Sequence, residues 1–242
     1  MLDEAQNLVV EEIEYIRHGD RSMILRLIRP AGDGPFPFIV DLHGGAWNNG
    51  SIDGCRLRDE ILARAGMAAA ALDFRHATDG YPTSLQDINF AIRWLKANAD
   101  AYALDADRAA LCGQSSGGHL AMLAAMRPED PRYAALPLDA EVDARVRCVG
   151  MTWPVINPLS RYRHALRCAG DKWAEQIPGH HETYWRDEAA MEEGNPMLAL
   201  ERGEAVETPP AVWLQGTPDI VHDYHDPESG QVLTGSFLDY CM

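Results

Sequence analysis

The sequence predicts a three-layer α/β fold, in which a mostly parallel central sheet carries helices on both faces. Short apolar runs alternate along the chain with longer segments of helical periodicity, which is the order of β–α–β units. Most of these runs are almost continuously apolar, as is typical of strands buried on both faces. At 242 residues and 46% hydrophobic content, the chain can form one large core, so we expect a single domain.

The first part of the chain predicts a hairpin followed by a β–α–β unit. Apolar and polar residues alternate over residues 7–30 on either side of a His-Gly-Asp sequence, which indicates a β-hairpin. Residues 38–42 have the apolar pattern of a buried strand. A helix is predicted over 56–65, where a glycine follows it, and the next buried strand over 67–74.

The rest of the chain continues this alternation with one interruption. The clearest helix is predicted over 85–99, where apolar residues recur at helical spacing after an N-cap sequence. Further short strands are predicted at 109–112, 146–153 and 211–215, and a helix at 119–126. Residues 154–207 have only weak helical periodicity, and we interpret them as a cap inserted over the sheet edge.

The charge and hydropathy of the chain argue against nucleic acids and membranes as binding partners. The formal net charge is −16, and no basic patch offsets it. Nucleic acids and anionic membranes would be repelled by such a chain. No uninterrupted apolar run approaches the ~18 residues of a membrane-spanning helix. We predict a small-molecule substrate and no nucleic-acid or membrane partner, and the sequence leaves a homo-oligomer open.

The cysteines and the N-terminus predict a cytoplasmic protein. The five cysteines are odd in number, scattered and without the C-x-x-C spacing of metal or redox sites: Cys55, Cys112, Cys148, Cys168 and Cys241. Free thiols of this kind fit a reducing compartment. Residues 1–5 are acidic at the end where a signal peptide would be basic.

Residues 113–118, Gly-Gln-Ser-Ser-Gly-Gly, form a G-x-S-x-G motif between a predicted strand and a predicted helix. Glycines at both ends allow a strained strand-to-helix turn that a Cβ would block. Such a turn projects the hydroxyl of the central serine above the sheet, at the N-terminus of the helix. Ser115 is therefore the candidate nucleophile.

A second small-residue loop, His-Gly-Gly-Ala at 43–46, directly follows the predicted strand 38–42. Backbone N–H groups in such a loop can approach a ligand oxygen closely. Together with the N–H of Ser116, the residues Gly44, Gly45 and Ala46 would form an oxyanion hole. We interpret His43 as a structural residue that orders the loop. Because parallel strands end at one edge of a sheet, the loop should lie beside Ser115.

Several segments together resemble the α/β-hydrolase fold, specifically the esterase branch related to hormone-sensitive lipase and the bacterial acetyl esterases. They span most of the chain in the family's order: HGGAW at 43–47, DFR at 73–75 with Tyr81-Pro82 and Asp87, GQSSGG at 113–118, and GTPD at 216–219. The resemblance implies that Ser115 is the nucleophile and Asp219 the triad acid. It also implies ester hydrolysis that needs no metal or organic cofactor.

The catalytic histidine is where the sequence departs from this family. In the family it follows the last strand, well beyond the acid, whereas only His222 and His225 follow Asp219 here, and both are close to it. His222 and His225 are the remaining candidates for the base, but neither occupies the family position, and we expect an unfilled gap between Asp219 and Ser115. The simplest interpretation is a C-terminally incomplete chain, with residues 236–242 as the start of a helix; a natural short form without activity is the alternative.

The leading hypothesis for function is hydrolysis of a small carboxylic ester through an acyl-Ser115 intermediate. Residues 43–47 also fit the H-G-G-x-W pattern of arylformamidases, so an amide hydrolase of that type is an alternative. The missing histidine would fit a third class, a non-catalytic hydrolase-like binding protein. We interpret His180, His181, His222 and His225 as ordinary polar residues rather than metal ligands.

Large aromatic side chains and one methionine are the candidates for a substrate pocket, although packing of the cap onto the body is the commoner use of such residues. The candidates are Trp47, Trp153 and Trp185, with Trp173, Tyr184 and Met191 as further possibilities in the cap.

Overall fold

The computed structural model describes residues 7–216, 219–223, 225–226, 229 and 231–232. Within these residues, one sheet contains seven strands in the order β1-β2-β4-β3-β5-β6-β7. The strands are β1 (Leu8–His18), β2 (Arg21–Pro30), β3 (Phe36–Leu42), β4 (Ala68–Leu72), β5 (Leu104–Gln114), β6 (Val149–Thr152) and β7 (Ala211–Leu214). The helices are α1 (Arg56–Arg64), α2 (Thr83–Ala97), α3 (Ser116–Met126), α4 (Pro158–Arg167), α5 (Ile177–Trp185), α6 (Glu188–Glu193) and α7 (Pro196–Glu201).

The predicted mostly parallel sheet is confirmed. Strands β1, β2 and β4 pair antiparallel at one side, and the pairs from β4 through β3, β5 and β6 to β7 are all parallel. The chain leaves β3 toward β4 on one side and later returns to β5 on the other. The carboxyl ends of β3 and β5 are therefore neighbours where the strand order reverses, which is where open α/β sheets bind ligands.

Alternation along β3 explains the helices on both faces. Phe38 and Val40 point into the large core that contains the apolar side chains of α2 and α3. Ile39, between them in sequence, belongs to a smaller core with Ala69 and Cys112, against which Leu62 of α1 packs. Since successive side chains of a strand point to opposite faces, the sheet lies between α1 on one side and α2 and α3 on the other.

The largest differences from the sequence prediction are in β5 and in the 154–207 segment. Strand β5 begins at Leu104, ahead of the predicted apolar run, because Leu104 pairs with Phe36 even though polar residues follow it. The 154–207 segment forms four short helices, α4 to α7, where periodicity gave only a weak signal. Three of them begin at an asparagine or aspartate whose side chain accepts a hydrogen bond from a backbone N–H of the first turn.

Other expectations concern thiols, membranes and the C-terminus. Cys55, Cys112, Cys148 and Cys168 are free thiols, and Cys241 and the helix expected over 236–242 lie outside the described residues. Across the described ranges, the helices are too short or too polar for any of them to cross a bilayer.

Candidate active site

Ser115 lies at the turn from β5 into α3 with backbone angles of φ 54° and ψ −122°. A positive φ is uncommon for a residue with a Cβ and persists only where the surroundings enforce it. Here the Ser115 N–H donates to the carbonyl oxygen of Thr152 (3.0 Å). Its own carbonyl accepts from the N–H groups of His119 and Val155, both at 3.2 Å. The strained turn is thus fixed by β6, by the residues after β6 and by the first turn of α3.

Steric crowding explains why glycines surround this serine. A Cβ at Gly113 would lie 2.4 Å from the carbonyl carbon of Gly117, and a Cβ at Gly117 would lie 2.3 Å from the carbonyl oxygen of Leu42. The end of β5, the start of α3 and the end of β3 therefore approach one another more closely than any other residue type allows.

The loop after β3 lies directly beside the serine. A Cβ at Gly44 would come within 3.2 Å of the Ser115 Cβ, and Gly45 and Ala46 both have positive φ angles, of 120° and 52°. Among the described residues, the backbone N–H groups of Gly44, Gly45, Ala46 and Ser116 donate to no protein acceptor. These amides are available to bind an oxygen atom of a ligand.

The side chain of His43 holds this loop in place. Its Nδ1 donates to the carbonyl oxygen of Gly44 (2.8 Å), and its ring stacks on Phe74 with centroids 4.4 Å apart. Burial lowers the pKa of His43, which favours the neutral imidazole at pH 7. This position orients the loop and does not bring the ring into the hydrogen bonds of Ser115.

Asp219 lies just after β7 and closes a tight turn with its own side chain. Oδ1 accepts from the backbone N–H groups of Val221 and His222, both at 3.1 Å, and Oδ2 accepts from the side-chain amide of Gln215 at 2.9 Å. Nδ1 of His222 lies 3.0 Å from both carboxylate oxygens. Because a carboxylate only accepts, Nδ1 carries the proton and Nε2 is left with a lone pair.

His222 also reaches the serine. Its Nε2 lies 3.0 Å from Oγ of Ser115, so the three side chains form one line of hydrogen bonds from hydroxyl to imidazole to carboxylate. The expectation of an unfilled gap between Asp219 and Ser115 is wrong, because His222 occupies it. The turn that Asp219 closes reverses the chain, which lets a histidine only three residues after the acid face the serine.

The environment of His222 suits a proton acceptor. Burial lowers its pKa below the usual value, and the positive charge of Arg161 acts in the same direction. The hydrogen bond and the negative charge of Asp219 oppose this shift. The ring is therefore neutral at pH 7 and ready to accept a proton at Nε2.

Helix α4 fixes the loop that carries His222. The Ser160 hydroxyl donates to the carbonyl oxygen of His225, whose ring stacks on His164 with centroids 4.0 Å apart. Arg167 donates to the carbonyl oxygen of Asp226 at 3.3 Å. His225 therefore packs against α4, and His222 is the histidine that faces Ser115.

Two of the candidate pocket tryptophans belong to the packed interior. Trp47 and Trp185 are only 2% and 1% exposed, and their ring centroids lie 5.4 Å apart. Trp47 also donates from Nε1 to Nδ1 of His119 (3.3 Å). The two rings pack the 154–207 segment onto the body, so the expectation that they form an accessible pocket wall is wrong.

The remaining pocket candidates also divide into buried and exposed side chains. Tyr184 and Met191 are buried with Trp47, while Trp173 stacks on His164 at 5.3 Å. Trp153 follows β6 and is 41% exposed. Its backbone N–H donates to the carbonyl oxygen of Leu214 (2.7 Å). A pocket role for Trp153 stays a prediction.

Metal ligation was not expected from the sequence. In the part of the chain that the structure describes, no three His, Cys, Asp or Glu side chains cluster in a way that could hold a metal ion. His181 is buried, with Nδ1 donating to the carbonyl oxygen of Ile177 at 2.9 Å, and the neighbouring His180 accepts from Asn48 through its backbone carbonyl at 2.7 Å.

The residue that sequence reasoning missed is His222. One signal pointed to it: Asp219-x-x-His222, in which an aspartate that accepts from the backbone two and three residues ahead brings the third residue back toward itself. We overlooked that signal because the family histidine lies much farther from the acid in sequence.

The chain is similar to a known family model, to curated esterases and to solved esterase structures. A family model described as BD-FAE matches residues 27–152, just over half of the chain, including the 43–46 loop and the Ser115 turn. Two curated relatives come from Mycobacterium tuberculosis. The probable carboxylic ester hydrolase LipM is 34% identical over 140 residues, which is 56% of this chain and 32% of LipM. Esterase LipC is 37% identical over 122 residues, which is 48% of this chain and 30% of LipC.

The matched parts thus span about a third of the length of these curated relatives. Among solved structures, inhibited esterase B from Lactobacillus rhamnosis superposes with a TM-score of 0.71 and 25% identity, over 91% of this chain and 69% of that one. The α/β-hydrolase fold expected from the sequence is confirmed by these matches together with the sheet topology. The chain belongs to the BD-FAE family.

Proposed function

We propose that this protein hydrolyses a small carboxylic ester through an acyl-serine intermediate, with Ser115 as nucleophile, His222 as general base and Asp219 as the acid that orients it. The observation that carries this proposal is the hydrogen-bond line Ser115 Oγ to His222 Nε2 to Asp219. The ester hydrolases among its relatives support the same reaction class.

Acylation begins when Oγ of Ser115 attacks the ester carbonyl carbon while Nε2 of His222 takes the hydroxyl proton. The carbonyl oxygen becomes negatively charged, and the free N–H groups of Ser116, Gly45 and Ala46 are the donors that can stabilise it. His222 then gives its proton to the leaving alcohol. The ester bond breaks, and the acyl group remains on Ser115.

Deacylation repeats the same steps with water. His222 removes a proton from the water, whose oxygen attacks the acyl carbon. The carboxylic acid leaves as Oγ of Ser115 regains the proton from Nε2. Throughout, Asp219 keeps Nδ1 protonated and stabilises the transient imidazolium.

We further propose that 154–207 is a cap within one domain and that it limits the size of the substrate. Its contacts with the loop after β3 and with α3 support this role. Asn48 donates from its side chain to the carbonyl oxygen of His180 at 2.7 Å, and Nε2 of His119 lies 2.8 Å from the carbonyl oxygen of Gly194. A cytoplasmic location remains a proposal from the cysteines and the charge pattern, and a homo-oligomer remains a possibility that the sequence leaves open.

The test compares wild type, Ser115→Ala and the control Ser51→Ala, whose exposed serine makes no cap hydrogen bond. We expect p-nitrophenyl acetate turnover in wild type and the control, and none above background in Ser115→Ala. A fluorophosphonate should add to Ser115, as located by peptide mass spectrometry. Turnover of N-formylkynurenine without ester turnover would indicate an arylformamidase. Absence of both turnover and labelling would indicate a binding protein.

A further inference from the structure

Arg161 carries a buried guanidinium that hydrogen-bonds to no residue in the described part of the chain. It lies on α4 and is only 8% exposed. Its Nε and Nη1 atoms are buried and form no hydrogen bond with any described residue. Buried charges in proteins are normally paired and hydrogen-bonded, because desolvation strongly penalises an isolated charge. An unpaired guanidinium in the interior therefore requires an explanation.

The position of Arg161 connects it to the candidate active site. Its neighbour Ser160 donates to the carbonyl oxygen of His225, on the loop that carries His222. The charge of Arg161 lowers the pKa of His222, and Asp219 in turn favours the charged form of Arg161. Arg161 thus lies within electrostatic range of the hydrogen-bonded histidine and carboxylate.

The nearby carboxylate does not satisfy this cation. Both oxygens of Asp219 already accept hydrogen bonds, from two backbone N–H groups, from Gln215 and from His222. No salt bridge joins Arg161 to a carboxylate among the described residues. Burial lowers the pKa of Arg161 to about 10, so the side chain stays positively charged at neutral pH.

A second unpartnered polar atom lies on the adjacent helix. Nε2 of His181, on α5, is fully buried and has no hydrogen-bond partner among the described residues. Burial and the charge of Arg161 both lower the pKa of His181, to about 3, so the ring is neutral and Nε2 is an acceptor. With respect to the described ranges, the interface of α4 and α5 therefore contains a cationic donor and an acceptor that have no hydrogen-bond partner.

We propose that Arg161 binds a carboxylate on the substrate, so that the protein prefers esters that carry a free acid group. This inference rests on the proposed function and specifies its substrate class. A carboxylate supplies the opposite charge and two coplanar acceptors that match a guanidinium. A neutral ester leaves the cation buried and unpaired, and that loss is what discriminates between the two substrates.

The test uses pairs of esters that differ only in the acid group. On the acyl side, monomethyl glutarate is compared with methyl pentanoate; on the alcohol side, 4-acetoxybutanoate is compared with butyl acetate. Acid release is followed by titration at constant pH. The variant is Arg161→Met, which keeps the length and removes the charge. The control is Arg163→Met, because Arg163 lies on the same helix but pairs with Glu188 at the surface.

For at least one pair, we expect wild type to have the higher kcat/KM on the acid ester. That ratio of acid to neutral ester should fall roughly ten- to hundredfold in Arg161→Met, mainly through KM, and should be unchanged in Arg163→Met. The pair that responds identifies the side of the substrate that carries the acid. Equal losses on both members of each pair, or no preference in wild type, would overturn the proposal.

A binding measurement separates this inference from the proposed reaction and does not depend on a folded variant. The melting temperature of wild type is measured with glutarate and with dimethyl glutarate at equal ionic strength. A larger increase with glutarate supports carboxylate binding even if no ester is hydrolysed. Equal shifts would count against Arg161 as the binding group even if neutral esters are turned over.

Discussion

Two turns meet at the candidate active site, and they are held by different means. The Ser115 turn follows β5 and is fixed by the backbone, because only glycine fits at Gly113 and Gly117. The Asp219 turn follows β7 and is fixed by side chains: the Asp219 carboxylate bonds to the backbone ahead of it. The comparison shows that the position of Ser115 depends on local sterics, whereas the positions of Asp219 and His222 depend on polar contacts between distant segments.

This difference determines how each half responds to mutation. Substitutions that add a Cβ in the serine turn should mainly lower the free energy of unfolding. Substitutions at Asp219 or in α4 should mainly lower kcat or kcat/KM, with less effect on folding.

Asp219 has two roles that substitutions can separate. Asp219→Ala removes both the turn and the partner of His222, while Asp219→Asn can keep Oδ1 as an acceptor for the backbone of Val221 and His222. We expect both variants to lose about 10⁴-fold in kcat, because either change abolishes the anionic partner of Nδ1. Only the alanine variant should also show faster amide hydrogen exchange around residues 219–223. Near-normal kcat in Asp219→Asn would contradict the orienting role.

Gly117→Ala tests the steric constraint on the Ser115 turn. The new Cβ would lie 2.3 Å from the carbonyl oxygen of Leu42, so the backbone must shift. We expect a loss of about 1–3 kcal/mol or more in the free energy of unfolding, measured with urea. Gly179→Ala is the matched control, since its Cβ meets no atom within 4 Å and lies on helix α5. Equal stability of both variants would show that the turn tolerates a side chain.

Ser160→Ala tests the support that α4 gives to the histidine loop. The substitution removes one hydrogen bond, to the carbonyl oxygen of His225. A bond of this kind contributes roughly 0.5–1.5 kcal/mol, so we expect kcat/KM to fall about two- to tenfold. Ser160→Thr, which keeps the hydroxyl, should restore most of the activity. A similar loss in both variants would point to packing rather than to the hydrogen bond.

The pH dependence should show the smallest change. Hydrolysis needs neutral His222, so kcat/KM should rise with pH through a pKa below 6.5, the usual value for histidine. Arg161 lowers that pKa, so Arg161→Met should raise it and move the acidic limb of the profile toward higher pH. The measurement is kcat/KM on a neutral ester in wild type and variant. A limb that stays in place would show that Arg161 does not act on His222.

The sequence was most informative where the backbone alone determines the structure. Glycine spacing located Ser115 and the 44–46 loop, and apolar runs located the strands that align them. His222 was missed because its position depends on the polar turn of Asp219 and on contacts from α4, neither of which has a periodic signal. Trp47 and Trp185 were misjudged because a large aromatic side chain suits a pocket and a packed interior equally well from its identity alone.

The central claim is that His222, and not the neighbouring His225, is the base. The most direct measurement is kcat on p-nitrophenyl acetate for His222→Ala and His225→Ala, both checked for native circular dichroism. We expect His222→Ala to lose about 10⁴- to 10⁶-fold, because removal of any triad member leaves only binding and the oxyanion hole. His225→Ala should keep turnover within about tenfold of wild type, since its ring packs on His164. Wild-type turnover in His222→Ala, or its loss in His225→Ala alone, would contradict the claim.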